Sequence, residues 1–341
     1  MTLKQALLSP IVILPVVYFT QIMIKNGGTI FNLADEIGSY NAWALQWLRN
    51  EFPNPVDTMG YPISISANWS MTYLLLGNSS VKFFYKALMS LFPFAAAGAF
   101  VHLAILSASL TPLLGFSFFA ILIRIFTPYY VGAGPLDLPA ACCAFVAFVA
   151  TYEISNSKNK NQLPSLVLLC LLATSVAVLK QSGLIIVAGA LVYAAYFLFY
   201  RQRAVGTFGA RMRSFFICVA VVFFGALSWY AWIRYKIYAG QAVSEATYLV
   251  KGIHACRNYS ERFTRALGMI WGGGPLYLGN HGVEFLLALL TVLFSVSLKT
   301  RVARVLTIGL IFPYFILWCL FFSYEHRTLA LVFPFVAYCC A

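Results

Sequence analysis

Asp35 and Glu36, Asp137, Glu325, Lys180 and Arg327 are the side chains of this sequence whose type and placement suit them to chemistry. Only ten acidic residues occur among 341, so the adjacent pair Asp35-Glu36 stands out. A carboxylate can take a proton from an attacking hydroxyl, and a lysine or arginine can hold and neutralise a phosphate leaving group. Asp137 precedes Leu138-Pro139, Lys180 stands in LKQSG, and Glu325, His326 and Arg327 stand together in SYEHRT. Each has a plainer alternative. Asp35 and Asp137 could simply cap helices, the latter with proline in the first turn. Lys180 could extend from a span end to the lipid head groups. Glu325 and Arg327 could pair with each other, although a Tyr-Glu-His-Arg cluster wedged between two apolar runs is costly.

The elements that must position these residues are apolar. Hydrophobic residues make up 61% of the chain and charged ones 10%, with a mean hydropathy of +0.82. Apolar runs recur near 5–24, 84–106, 108–127, 136–152, 163–179, 183–200, 214–237, 283–298 and 305–323, and a last run begins near 328. Runs of this length predict an all-α, polytopic transmembrane protein with about ten spans, because a bilayer core about 30 Å thick needs about twenty helical residues to cross. The first run lacks a small-residue cleavage site and reads as a retained helix. The last is short for a crossing, which points to a piece of a longer protein. No internal repeat or linker marks a second domain. Residues 1–341 therefore read as one transmembrane domain, with long external segments at 25–83 and 238–282.

Orientation follows from the basic residues of the short loops. Lys158 and Lys160, then Arg201, Arg203, Arg211 and Arg213, then Lys299, Arg301 and Arg304 all fall on the side of the N-terminus if the spans alternate, which makes that side cytoplasmic. Asp35, Glu36, Asp137, Lys180, Glu325 and Arg327 then share the opposite face. In ADEIGSYNAWALQWLRNEF the apolar positions Ile37, Tyr40, Ala44, Trp47 and Leu48 recur at helical spacing, predicting an interfacial helix in the first outer loop.

The net charge of +13 resides in short clusters between apolar runs, without the continuous basic face that nucleic acid requires, so membrane topology and lipid head groups account for it. Six of the eight cysteines lie in apolar runs and none has zinc-ligand spacing. His102 reads as a packing residue, and the glycine run 272–274 lacks the Lys-Ser/Thr ending of a nucleotide loop. N-x-S sequons begin at Asn68, Asn78 and Asn258, which matter only in a secretory pathway.

Four separated pieces, NLADEIGSYNAWA, GPLDLPAACCAFVAF, AVLKQSGLIIVAG and SYEHRTLALVFPF, resemble in order and spacing the motifs of GT-C membrane glycosyltransferases that use polyprenyl-phosphate sugars. That group includes protein O-mannosyltransferases and the lipid A aminoarabinose transferase, of the glycosyltransferase family 39 type. The resemblance implies inverting sugar transfer at the periplasmic or lumenal face of a bacterial plasma membrane, or of the endoplasmic reticulum in a eukaryote. Asp35 would match the base that activates the acceptor hydroxyl and Glu36 would shape its site. Lys180 and Arg327 would contact the donor phosphate, with Asp137, Glu325 and His326 supporting them. No cofactor is called for firmly, a divalent metal ion being the one option. The implied partners are the lipid-linked sugar, membrane lipids and an acceptor lipid, glycan or protein. The competing class is a polytopic transporter or flippase, for which midplane ionisable sites, broken helices and two pseudo-symmetric halves would be the signs. A non-catalytic membrane scaffold subunit is a third reading, one that offers no reason for carboxylates on a single side.

Overall fold

The computed structural model of the chain describes residues 5, 9–27, 39–51, 64–77, 89–126, 131, 136–156, 162–202, 207–240, 259–270, 300–322 and 326–341. These residues are helical, and no strand occurs among them. In chain order the helices are α1 (Pro10–Gly27), α2 (Ala42–Leu48), α3 (Ser64–Leu76), α4 (Phe92–Ser107), α5 (Thr111–Phe126), α6 (Asp137–Asn156) and α7 (Leu163–Leu179). They continue with α8 (Gln181–Arg201), α9 (Phe208–Tyr238), α10 (Tyr259–Ile270), α11 (Arg301–Leu320) and α12 (Phe333–Cys340), the last preceded by a 3-10 run over His326–Val332. Helices α6, α8, α9 and α11 are long and apolar enough to cross a membrane. Shorter apolar helices occupy five more of the runs read from sequence: α1, α4, α5, α7 and the segment Thr328–Cys340. The run at 283–298 lies outside the described residues. Four helices of crossing length, rather than about ten, are therefore what the described chain contains. Helix α4 stops at a turn, where Ala108 takes a left-handed φ of 50° before α5.

Contacts divide the chain into two units. The first comprises residues 1–31, 82–142 and 246–341, the second residues 32–81 and 143–245, so that α6 contributes residues to both. In the first unit a proline dictates an interhelical bond. Pro15 lies inside α1 and has no N–H, so the carbonyl four residues earlier, that of Ile11, loses its intrahelical donor. Ser117 of α5 supplies one, its Oγ donating to Ile11 O at 2.8 Å. Fifteen residues further along α1, Asn26 Nδ2 donates to Val131 O at 2.6 Å. The two bonds pair 11 with 117 and 26 with 131, so α1 and α5 run parallel.

Phe19, Phe100, Phe116 and Phe119 fill the space between α1, α4 and α5, with ring centroids 6.0–6.3 Å apart. On the other side of α5, Gly115 approaches the Ala337 carbonyl and Phe126 meets Phe333 at 5.6 Å, which makes α12 antiparallel to α5. It is antiparallel to α11 as well, since Thr307 pairs with Cys339 and Trp318 with Thr328.

In the second unit α7 and α9 run parallel. Cys170 and Cys218 share one buried core, Thr174 abuts Gly225, and Tyr230 reaches Ala177. A Cβ on Gly225 would stand 2.5 Å from Thr174 Cγ2, so only glycine permits this approach. Ala173 and Ala177 on α7, with Ala190 and Ala194 on α8, form small-residue pairs four apart inside the same core. Between helices already in an apolar solvent, close packing of small residues supplies the attraction that the hydrophobic effect cannot.

Ser117→Ala is expected to destabilise the protein by about 1 kcal/mol, because it leaves the Ile11 carbonyl without a donor. In a Pro15→Ala background, where the helix regains its own N–H, the same change should cost less. A double-mutant cycle on unfolding in mild detergent checks this, with a coupling of about 0.5 kcal/mol or more expected; strictly additive costs would refute the compensation.

Candidate functional site

In the first unit the C-terminal turn of α1 meets Val131, and the C-terminal end of α5 meets the start of α12. The bonds placing them are Asn26 to Val131 and the Phe126–Phe333 contact. Asp137, six residues after Val131 in the chain, opens α6 and is buried, in a first turn whose free N–H groups and dipole favour a negative charge. The backbone of His326 and Arg327 begins the 3-10 run. Their successor Thr328 is held twice: Tyr314 Oη donates to its carbonyl at 2.8 Å and Trp318 Nε1 to its Oγ1 at 3.0 Å, all buried. Arg262 of α10 donates to the carbonyl of Leu320, in the π-helical turn Trp318–Phe322 that closes α11, at 3.1 Å. Glu325 lies outside the described residues, as do the side chains of His326 and Arg327.

The second unit contains the Lys180 turn. Helix α7 ends at Leu179, and Lys180, partly buried, is extended with φ −146° and ψ 141°. A single 3-10 turn over Gln181–Gly183 then starts α8, closed by Gly183 N–H donating to Lys180 O at 2.9 Å. A Cβ on Gly183 would lie 2.5 Å from the backbone carbonyl of Val176, so the tightness of the turn requires glycine. Ending a helix leaves carbonyls without donors. Tyr230 of α9 captures that of Ala177 at 2.6 Å, which fixes the last turn before Lys180.

The same unit holds the first outer segment. Asp35 and Glu36 lie outside the described residues, as does Ile37. The chain is described again from Ser39, where a π-type turn leads into α2. Tyr40, Asn41, Trp43 and Ala44 are buried. Helix α3 packs on α2 through Trp69 and Tyr73: Tyr73 Oη donates to Asn41 Oδ1 at 2.6 Å, and the Tyr40 ring lies 5.5 Å from Trp43 and 6.2 Å from Trp69. Burial pushes the Tyr73 phenol up to about 12. The expected stripe is thus partly displaced: Trp43 is buried while Trp47 and Leu48 are partly exposed, and the face meets α3. Helix α3 also touches α7, the helix that ends at Lys180.

Of the residues singled out in the sequence, Asp137 and Lys180 are described, and they belong to different units. Sequence reasoning missed the residues that hold their surroundings: Asn41, Tyr73, Tyr230, Tyr314, Trp318 and Thr328. Gly183 and Thr328 had signals, lying in LKQSG and SYEHRT. A tyrosine inside an apolar run carries no mark of the carbonyl it will meet. Among the described residues no three His, Cys, Asp or Glu side chains gather as a metal group.

Fold and hydropathy together define the class, an all-helical chain with several helices long and apolar enough for a membrane. Compared with protein-family models, with curated proteins and with solved structures, the chain matches none.

Gly183→Ala is expected to push the Lys180 turn away from α7 and to lower the melting temperature, at a cost of about 1–3 kcal/mol. Gly189→Ala on α8, where nothing lies within 4 Å of the added Cβ, should be neutral or mildly stabilising. Tyr73 gives a pH signature. Its folded value is raised above the ordinary 10.0 to about 12, so its contribution is complete below pH 10.0 and is lost as pH rises through about 12. Unfolding measured from about pH 9 to 12 should show an alkaline loss of stability that Tyr73→Phe reduces.

Proposed function

We propose that this chain is an inverting glycosyltransferase of the membrane, with about ten crossings, which moves a sugar from a polyprenyl-phosphate donor to a hydroxyl acceptor at its external face. The observation that carries this reading is that α1's end meets Val131, six residues before the buried Asp137, in the same unit as the 3-10 run that begins at His326-Arg327. The built turn that carries Lys180 supports it too. The four sequence pieces that resemble polyprenyl-phosphate glycosyltransferases supply the chemistry.

In the reaction, the acceptor oxygen attacks the anomeric carbon from the side opposite the phosphate. Asp35 takes the hydroxyl proton as the new C–O bond forms, and the bond from carbon to phosphate oxygen breaks with its electron pair going to the polyprenyl phosphate. The resemblance assigns the phosphate, whose charge rises, to Lys180 and Arg327, and supporting roles to Glu36, Asp137, Glu325 and His326. The donor's lipid tail stays in the bilayer and the acceptor approaches from water.

One observation favours the alternative of a transporter or flippase. Helices α9 and α11 contain π-helical turns at Phe223–Leu227 and Thr307–Ile311, interior positions of the kind that transporters use as breaks. Radiolabelled polyprenyl-phosphate sugars offered to membranes that carry the full-length protein separate the two readings. Transfer to an acceptor that falls by about 10²–10⁴-fold in Asp35→Asn supports the transferase and its base. Movement of the lipid-linked sugar across vesicles without transfer would establish the alternative.

A further inference from the structure

Helix α10, YSERFTRALGMI, is the most amphipathic helix of the described chain, with Phe263, Ala266, Leu267 and Ile270 at the i, i+3, i+4, i+7 spacing of one apolar face. Neither the membrane crossings nor the proposed reaction uses it. Ala266 is fully buried, whereas Ser260, Glu261, Phe263, Thr264 and Arg265 are exposed. The helix is tied to α11 by the bond from Arg262 Nη1 to Leu320 O. Leu320 lies in the last described turn of a helix of crossing length, three residues before the polar stretch SYEHRT, so its carbonyl lies near the depth at which the sequence leaves the apolar layer. A helix fastened to this carbonyl lies at the head-group boundary. There an exposed aromatic ring gains by entering the acyl layer and an arginine by meeting lipid phosphates.

We infer that α10 is a membrane-surface helix, with Phe263 inserted at the acyl boundary beside α11 and Arg265 set among anionic head groups. The occupant of its exposed face is the lipid surface. Continuity with the end of α11 sets the depth, and the helix's positive charge suits the anionic lipid. This inference does not rest on the transferase reading.

The test uses the full-length chain carrying Phe263→p-benzoylphenylalanine, reconstituted in vesicles of phosphatidylcholine with or without phosphatidylglycerol. Lipid adducts formed on irradiation are read by mass spectrometry, with Glu261 and Thr264 replaced in the same way as controls on the same helix. About tenfold more lipid adduct is expected at 263 than at 261 or 264, from the gain on burying an aromatic ring. Adding Arg265→Gln should lower the yield at 263 by up to about fivefold, and only in vesicles that contain phosphatidylglycerol. Equal lipid yields at the three positions, or adducts at 263 chiefly with a second copy of the chain or another protein, would overturn the inference. An Arg265→Gln yield unchanged in phosphatidylglycerol vesicles would overturn its electrostatic part.

Discussion

A carbonyl oxygen deprived of its helical donor, in a medium that offers no water, is the constraint on which the described structure turns. Leaving such a group unsatisfied costs several kcal/mol in hydrocarbon, so each must find a donor on a neighbouring element. The proline of α1 frees the Ile11 carbonyl and Ser117 takes it. The end of α7 frees that of Ala177 and Tyr230 takes it, and the end of α11 offers that of Leu320 to Arg262. These bonds are few, but each sets the height and rotation of one helix against another. That is the information which packing among interchangeable apolar side chains supplies poorly.

Two of the places where chemistry is proposed are places where such bonds are made. Lys180 follows directly on the turn fastened by Tyr230, and Arg327 precedes a threonine held at both its backbone and its hydroxyl. Where a helix stops, a charged residue can leave the apolar layer. Stopping it creates the unsatisfied carbonyls that then have to be captured, so a functional corner and a hydrogen-bonded anchor arise together.

The sequence made the helices legible because apolar runs have one solution in lipid, and nine of the ten runs coincide with described helices. Lengths were less legible. The runs read at 84–106 and 108–127 are helical over Phe92–Ser107 and Thr111–Phe126, since the backbone turns at Ala108. The register of α2 was legible at Tyr40 and Ala44 but not at Trp43, because the π-type turn at Ser39–Asn41 rotates the helix that it starts and α3 sets the inner face. At the candidate site, Asp137 as a helix start and Gly183 as a required glycine followed from local spacing. The donors Tyr73, Tyr230, Tyr314 and Trp318 did not, since each meets a residue at least ten positions away.

The proline in α1 bears on how the chain is made. The first apolar helix leaves the ribosome with a gap in its ladder, and the hydroxyl that closes it stands 106 residues later in the chain. Until α5 has been synthesised and has entered beside it, α1 carries an open acceptor that any passing polar group, or the insertion machinery itself, can occupy. The third apolar run therefore completes the first, and assembly of this unit cannot be finished in the order in which it is translated.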